Sequence, residues 1–570
     1  MIPTDPPPDP GTRSTSARIG PVLLAGLVLA SVWLGVNRIF QVDEVLYAAL
    51  AKFMASGRMA YVPNVPLILL GPLTWLAGAA HDSMDVLIYL RMPFVALFWA
   101  NAILVVKGGG LKLRSREGLY ALLLVATLAP MWDYGFEIRH DVPLLTMTLV
   151  LWWLVRARRP APPVRLFLAG VAAGLMELIA FKGFIFAVPM VALGLYLAHP
   201  ERVRRGLAYL GLAILGAALA LAMGRAAHGL AGTWSLAWSG FQDTSRFAAS
   251  TVTRFSPWNT LARAVTEAPL AFCGGLAVLA VPFVPARGWQ RRDLLDLPWF
   301  PEWCFAAICL VLFFANPTPF PYNLIHLFPA FLVLLLQLRE PLRQGLAALA
   351  PAPRKALVGA LLLLHILPWT LATSRHFAMD NERQGVVIAL AEAMTDPAQH
   401  GVFDGSGLVS CRNPPGPHWL LHTFTIAHFR DGSWPSLRSL LARNPTPVIL
   451  PNYRTEWLPA EDQTFIRTHY LPLAEDICVL GTLLGAGAAS WEALAQGRYQ
   501  LDFSTPTTAS QGRFEVDGKP VEPGIVTLTK GDHTFKVPEG RQLRVAWLGP
   551  RLQGLPPLGP ASRPLFVNWY

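Results

Sequence analysis

An adjacent acidic pair, Asp43-Glu44, lies a few residues beyond the first long apolar segment of the chain, Ile19 to Phe40. A carboxylate close to the hydrocarbon boundary is costly to desolvate, so the pair points to chemistry at a membrane surface. The alternative is structural, because Asp and Glu also begin helices and Val42-Asp43-Glu44-Val45 reads equally well as a helix start. Polar residues of both signs recur in the short turns assigned to the same membrane face. They are Lys52, Arg58 and Tyr61 in the first loop, Glu137, Arg139, His140 and Asp141 in the next, then Lys182, and then Tyr322, Asn323 and His326. Acids beside bases at one surface suit an anionic substrate and a proton transfer. Each also has a bland role: an ion-pair turn at Arg139-His140-Asp141, a snorkelling Lys182, an aromatic belt around Tyr322 and His326.

The elements that hold these residues are apolar. Of 570 residues 53% are hydrophobic and only 15% charged, with mean hydropathy +0.40, a membrane rather than a globular composition. Apolar runs of about the ~20 residues that cross a bilayer predict eleven spans, near 19–40, 85–106, 118–135, 142–155, 166–181, 184–198, 206–223, 268–286, 300–316, 324–338 and 356–374. Alternate loops hold the basic residues: Lys107 to Arg116, Arg156 to Arg165, Arg202 to Arg205, Arg287 to Arg292, and Arg339 to Lys355. Those loops are predicted to be cytoplasmic, which puts the N-terminus inside and everything after 374 outside. The stretch 66–80 would break this alternation if it crossed, so it reads as re-entrant or interfacial. Residues 1–18 form a Pro-, Thr- and Ser-rich arm, and the apolar run after it lacks a good cleavage site, as in an uncleaved signal-anchor. The net charge of +11 is explained by basic loops facing anionic membrane lipids, without nucleic acid as a partner.

The tail divides into an α/β domain at 376–485 and a β-rich module at 486–570. GVFDG and TPVILPN read as strands around helices at 418–429 and 435–443. RYQLDF, GRFEVDG, GIVTLT, HTFKVP and LRVAWLG, separated by DG, KGD and EG, then read as antiparallel strands. Tyr499 and Trp547 are either platforms for a glycan or core residues of that module. Cys411 and Cys478 are the two cysteines of the tail, able to pair in an oxidising compartment or to remain as thiols.

VDEVLYA at 42–48, RMP at 91–93, RHDVPLL at 139–145, FKGFIFAVP at 181–189 and PYNLIHLFPAF at 321–331 together resemble, in order, the landmarks of the GT-C glycosyltransferases. The similar branches are the bacterial aminoarabinose and galacturonosyl transferases of lipid A and the protein O-mannosyltransferases. The resemblance covers residues 19–375. It implies a polytopic α-helical, GT-C-like membrane domain followed by the extracytoplasmic α/β and β-rich tail, in a bacterial inner membrane. It further implies transfer of a sugar, with inversion, from a polyprenyl-phosphate donor to lipid A or lipopolysaccharide, another glycan, or a protein at the extracytoplasmic face. On this resemblance Asp43 is the base and Glu44 its partner. Arg58, Arg139 and Lys182 bind the donor phosphate, and Tyr61, His140, Asp141, Tyr322, Asn323 and His326 line or orient the site. Fixed cations can neutralise a monophosphate leaving group, so no cofactor is expected, with a divalent cation as the minority alternative. The rival functions are a polyprenyl-phosphate or lipid transporter and a non-catalytic anchor presenting the β module.

Overall fold

Apolar sequence becomes helical where water is scarce because an unpaired backbone amide there costs several kcal/mol. In chain order the helices are α1 (Ser16–Asn37), α2 (Val42–Ala55), α3 (Leu67–Ala79), α4 (Ser83–Gly108), α5 (Arg116–Ala126), α6 (Ala129–Tyr134), α7 (Asp141–Val155), α8 (Pro163–Ile179) and α9 (Gly183–Ala198). After them come α10 (Val203–Leu230), α11 (Trp234–Ser250), α12 (Pro257–Glu267) and α13 (Pro269–Ala280), then helices Phe300–Ala315, Leu324–Gln337, Arg339–Ala347 and Pro351–Ala378. The structure, a computed structural model, describes residues 16–58, 67–156, 162–180, 182–198, 203–230, 232, 234–250, 256–283, 297–316, 319–422, 425–474, 476–504, 513–555 and 565–566.

Among the described residues four helices are long and apolar enough to cross a membrane: Ile19–Asn37, Ser83–Gly108, Ala208–Leu230 and Pro351–Ala378. The number is up to six if the bent pairs Pro257–Glu267 with Pro269–Phe283 and Pro321–Gln337 with Arg339–Ala347 are each one span, and Asp141–Val155, Gly183–Tyr196 and Phe300–Ala315 are shorter apolar helices. The chain is therefore a multi-pass membrane protein, but this measure does not reach the expected eleven crossings. One reason is local. The run at 118–135 is broken between α5 and α6, where Pro130 sits in the first turn of α6 and cannot continue the preceding helix. The Ala126 carbonyl left over at that break accepts a hydrogen bond from the Trp132 indole. The stretch 66–80 contains α3, only 13 residues long, and Lys52 Nζ at the end of α2 donates to the Ala77 and Ala80 carbonyls, both at 3.0 Å.

The bundle has two distinct ends. At one, the Gly108 carbonyl accepts from Arg156 at 2.6 Å and Gln337 at 3.0 Å, and Gly109 from Arg339 at 3.1 Å. At the other end of α4, Ser83 Oγ donates to Glu392 at 2.6 Å and accepts from the Cys411 amide at 2.9 Å. The C-terminal domain is thus seated on the end opposite the basic loops.

That domain follows helix Glu382–Ala393. Its strands are β1 (Val402–Phe403), β2 (Val448–Ile449), β3 (Tyr470–Ala474), β4 (Ile477–Leu484), β5 (Gly487–Ala493), β6 (Gly497–Phe503), β7 (Phe514–Val516), β8 (Lys519–Val521), β9 (Gly524–Leu528), β10 (Gly531–Val537) and β11 (Leu543–Trp547). A seven-stranded sheet runs β1-β2-β4-β11-β6-β9 with β3 beside β4, and a four-stranded sheet runs β5-β10-β7-β8. The expected separation at 485/486 is corrected here: β4 pairs with β11 from Leu484↔Leu543 to Gly481↔Ala546, so one sheet passes through both parts. Asp517 (φ 50°) and Gly518 (φ 74°) join β7 to β8 with both central residues left-handed, as a two-residue type I′ hairpin requires.

Tyr499 and Trp547 are core residues rather than glycan platforms. They face each other across β6 and β11, are buried, and sit 5.3 Å apart edge to face. The Trp547 indole donates to the Met394 carbonyl at 2.8 Å, closing the sheet onto the preceding helix. Cys411 and Cys478 do not pair. Cys478 lies within β4 opposite Ile449, Cys411 lies in the segment held by Ser83, and all five cysteines are free. Alkylation of the denatured protein without reductant should therefore label Cys411 and Cys478 fully by intact mass; two unlabelled thiols restored by reductant would contradict this.

Candidate functional site

The site starts from a fully buried ion pair. Glu44, in the first turn of α2, receives Arg91 of α4 through both oxygens: Nε to Oε1 at 2.9 Å and Nη2 to Oε2 at 2.7 Å. It also accepts the Gln41 amide at 3.0 Å and the Ile138 amide at 3.1 Å. Arg91 donates in addition to the Arg38 and Ile39 carbonyls at 2.7 and 3.2 Å and lies over the Phe40 ring at 3.6 Å. Arg38 reaches the Trp132 and Asp133 carbonyls and Glu137. One carboxylate thus joins the end of α1, the start of α2, the middle of the bundle and the 135–140 turn. Glu44 has no free lone pair for an acceptor, which corrects its expected role: it positions α2 and the turn.

Successive residues of a helix point about 100° apart, so fixing Glu44 inward aims Asp43 elsewhere. Asp43 Oδ2 meets Arg139 Nη1 at 3.1 Å and Oδ1 meets Arg454 Nη2 at 2.8 Å, and 26% of its side chain is exposed. Arg139 lies over the Tyr322 ring at 3.8 Å and reaches Asp141 at 3.4 Å. Asp141, at the start of α7, pairs with Lys182, and Lys182 donates to Asn323 at 2.9 Å. His140 and His326 each place Nε2 3.7 Å from Asp141, and the second nitrogen of His140 shares a 2.5 Å hydrogen bond with the Tyr47 hydroxyl. The result is an alternating row, Arg454–Asp43–Arg139–Asp141–Lys182, at the C-terminal-domain end of the bundle. No three His, Cys, Asp or Glu side chains among the described residues are grouped to hold a metal.

Among solved structures, the chain is similar to ArnT from Cupriavidus metallidurans bound to undecaprenyl phosphate. The TM-score is 0.55 at 15% identity, over 82% of this chain and 98% of that one. At that identity the likeness is one of fold: the chain folds as ArnT does. Two further matches are an oligosaccharyltransferase of Archaeoglobus fulgidus in its apo form (TM-score 0.46, 13% identity, 79% and 72% covered) and AglB of the same organism with an inhibitory peptide and a dolichol-phosphate (0.45, 12%, 80% and 73%). No protein-family model and no curated protein match the chain.

On this scaffold the structure brings together Asp43, Arg139, His140, Asp141, Lys182, Tyr322, Asn323 and His326. Arg58 is engaged differently: it donates to Asn413 at 2.8 Å and to the Ser410 carbonyl at 3.3 Å, tying the first loop to the C-terminal domain. Tyr61 lies outside the described residues. Sequence reasoning missed Arg454, which nothing in the spacing of the tail marks as the partner of a residue 411 positions away, and His422, which lies near enough to act electrostatically on Asp43.

The electrostatics follow from burial and from these pairings. Burial opposes ionisation of Asp43, but the Arg139 and Arg454 guanidiniums override it and lower its pKa to about 2. Burial lowers His140 to about 4, against the pull of Asp141, and lowers His422 to about 4, reinforced by Arg454. Burial together with the Glu44 charge raises Glu137 to about 8. With both histidines neutral at pH 7, the row holds two carboxylates, Asp43 and Asp141, against three cations, Arg139, Arg454 and Lys182. It has one positive charge in excess.

Two measurements check this geometry. Glu44→Gln should lower stability by about 3–5 kcal/mol, since it leaves Arg91 buried without its counter-ion, whereas Glu44→Gln with Arg91→Met should recover part of the loss in thermal unfolding. An unchanged melting temperature for the single variant would refute the buried pair. A His with a depressed folded pKa binds fewer protons folded than unfolded between the two values, so its contribution to stability falls as pH drops from about 6.5 to about 4. His422→Gln should therefore flatten the melting-temperature profile in that window relative to wild type; parallel profiles would contradict a buried neutral His422.

Proposed function

We propose that the protein is an inverting glycosyltransferase that moves a sugar from a polyprenyl-phosphate donor to an acceptor at the extracytoplasmic face. Candidate acceptors are a glycolipid such as lipid A or lipopolysaccharide, another glycan, or a protein. The observation that carries the reading is Asp43, a partly exposed carboxylate held between two guanidiniums in a row with one excess positive charge. The undecaprenyl phosphate bound to ArnT supports the donor class.

The charges account for the chemistry step by step. A sugar phosphodiester carries one negative charge, matching the resting excess. The acceptor hydroxyl gives its proton to Asp43 as its oxygen bonds to the anomeric carbon, and the bond from that carbon to the phosphate oxygen breaks on the opposite face. Protonated Asp43 leaves the row with two excess positive charges, and the phosphate departs with two negative ones. Arg139, Lys182 and Arg454 supply the compensation a divalent cation would otherwise give. Asp141 holds Arg139 and Lys182 apart for this purpose, while His140, Tyr322, Asn323 and His326 shape the surroundings of the row.

A transporter would be expected to hold its charges near mid-membrane, whereas these lie at the ends of α2, α7 and α9. A separate anchor and binding module is disfavoured because the tail itself reaches Asp43. The inside-to-outside orientation rests on the basic loops gathering at Gly108-Gly109, opposite the site.

Asp43→Asn keeps size and most hydrogen bonding but removes the proton acceptor. With purified protein and a polyprenyl-phosphate sugar, its turnover should fall by ~10²–10⁴-fold, while the fold is retained. Near-normal turnover would sink the catalytic reading.

A further inference from the structure

Resting on the transferase reading, we infer that Arg454 of the C-terminal domain is a ligand of the donor phosphate, and that Asp43 is masked by Arg454 and Arg139 until that phosphate displaces it.

Arg454 is a built element. It follows β2 in a turn where its amide donates to Asn452 Oδ1 at 3.0 Å, and Asn452 Nδ2 donates to the Asp404 carbonyl at 2.7 Å. Asp404 in turn accepts the amides of Ser406, Gly407 and Leu408. The Arg454 side chain is 5% exposed; Nη1 donates to the Leu421 carbonyl at 3.1 Å and Nη2 to Asp43 at 2.8 Å. Nε is buried and has no partner among the described residues. An unmet buried donor is costly, and Nε and Nη2 form one edge of the guanidinium, the fork that receives two oxygens of one oxyanion. Arg91 uses the same edge completely on Glu44. Arg454 uses half of its edge, on one oxygen of a carboxylate whose other oxygen belongs to Arg139.

A phosphate has enough oxygens to fill the Arg454 fork and to engage Arg139 as well. When it does so, Asp43 loses both counter-ions and becomes a stronger base at the moment a leaving group is in place. No bond is made or broken in this exchange; one anion replaces another on two fixed cations. Donor binding therefore precedes activation of the acceptor, and without donor the base stays masked. The C-terminal domain is part of the reaction site in this account.

The test is direct binding of undecaprenyl phosphate to the full-length protein in detergent, with melting temperatures recorded on the same samples. Asp43→Asn should bind the lipid phosphate more tightly than wild type, by about tenfold or ~1.4 kcal/mol, because the competing carboxylate is neutral, even as turnover is lost. Arg454→Ala should weaken binding by about tenfold in both the wild-type and Asp43→Asn backgrounds. Arg454→Lys should recover only part of the loss, since a point charge lacks the fork; if the alanine variant melts, the lysine variant carries the comparison. Binding by Asp43→Asn no tighter than wild type, or wild-type affinity in the Arg454 variants, overturns the inference. A wild-type protein that does not bind undecaprenyl phosphate overturns instead the transferase reading on which it rests.

Discussion

Glu44 and Arg91 meet where water cannot reach either of them. An ion taken there alone would cost several kcal/mol, so each must be satisfied by the other and by the backbone around it. Between them they take up the Gln41 and Ile138 amides and the Arg38 and Ile39 carbonyls. The path of the chain at the end of α1, through the start of α2 and past the 135–140 turn is set by that requirement. Asp43 then has little freedom. It shares a helical turn with an immobilised neighbour and projects away from it, toward the C-terminal domain.

What Asp43 meets there follows the same rule in a wetter place. Every carboxylate of the row touches a cation and every cation touches a carboxylate, yet the total is one charge short of neutral. In the proposed reaction this shortfall is filled by a phosphodiester and stays balanced as the proton moves to Asp43 and the phosphate leaves. A rigid set of side chains can then stabilise the developing charge without rearranging at the moment of reaction, the condition under which electrostatic stabilisation is most effective.

Much of this was legible in the chain. The turns carrying Asp43, Arg139 to Asp141, Lys182 and Tyr322 to His326 were recognisable as one set, because membrane sidedness is written in basic residues and short loops. The strands from RYQLDF to LRVAWLG were legible from alternation and turn chemistry. The illegible parts share a physical origin in tertiary contact. Glu44 and Asp43 are equivalent in sequence, and only the packing of Arg91 of α4 separates a positioning carboxylate from an accessible one. Arg454 joins the site through a fold of the tail that no local pattern encodes. The pairing of β4 with β11 likewise crosses what looks like a boundary in the sequence at Gly485. Hydropathy alone also does not show where a run is broken: Pro130 interrupts one whose composition resembles a span.

The central claim is that Asp43 works as the base of a lipid-phosphate-dependent sugar transfer. Mass spectrometry of envelope glycolipids and glycoproteins tests it most directly, comparing cells that produce the wild-type chain, the Asp43→Asn chain at equal abundance, or neither. The account predicts that one sugar-sized mass, present on an acceptor in wild-type cells, is absent from both of the others. An acceptor profile for Asp43→Asn indistinguishable from wild type would contradict it.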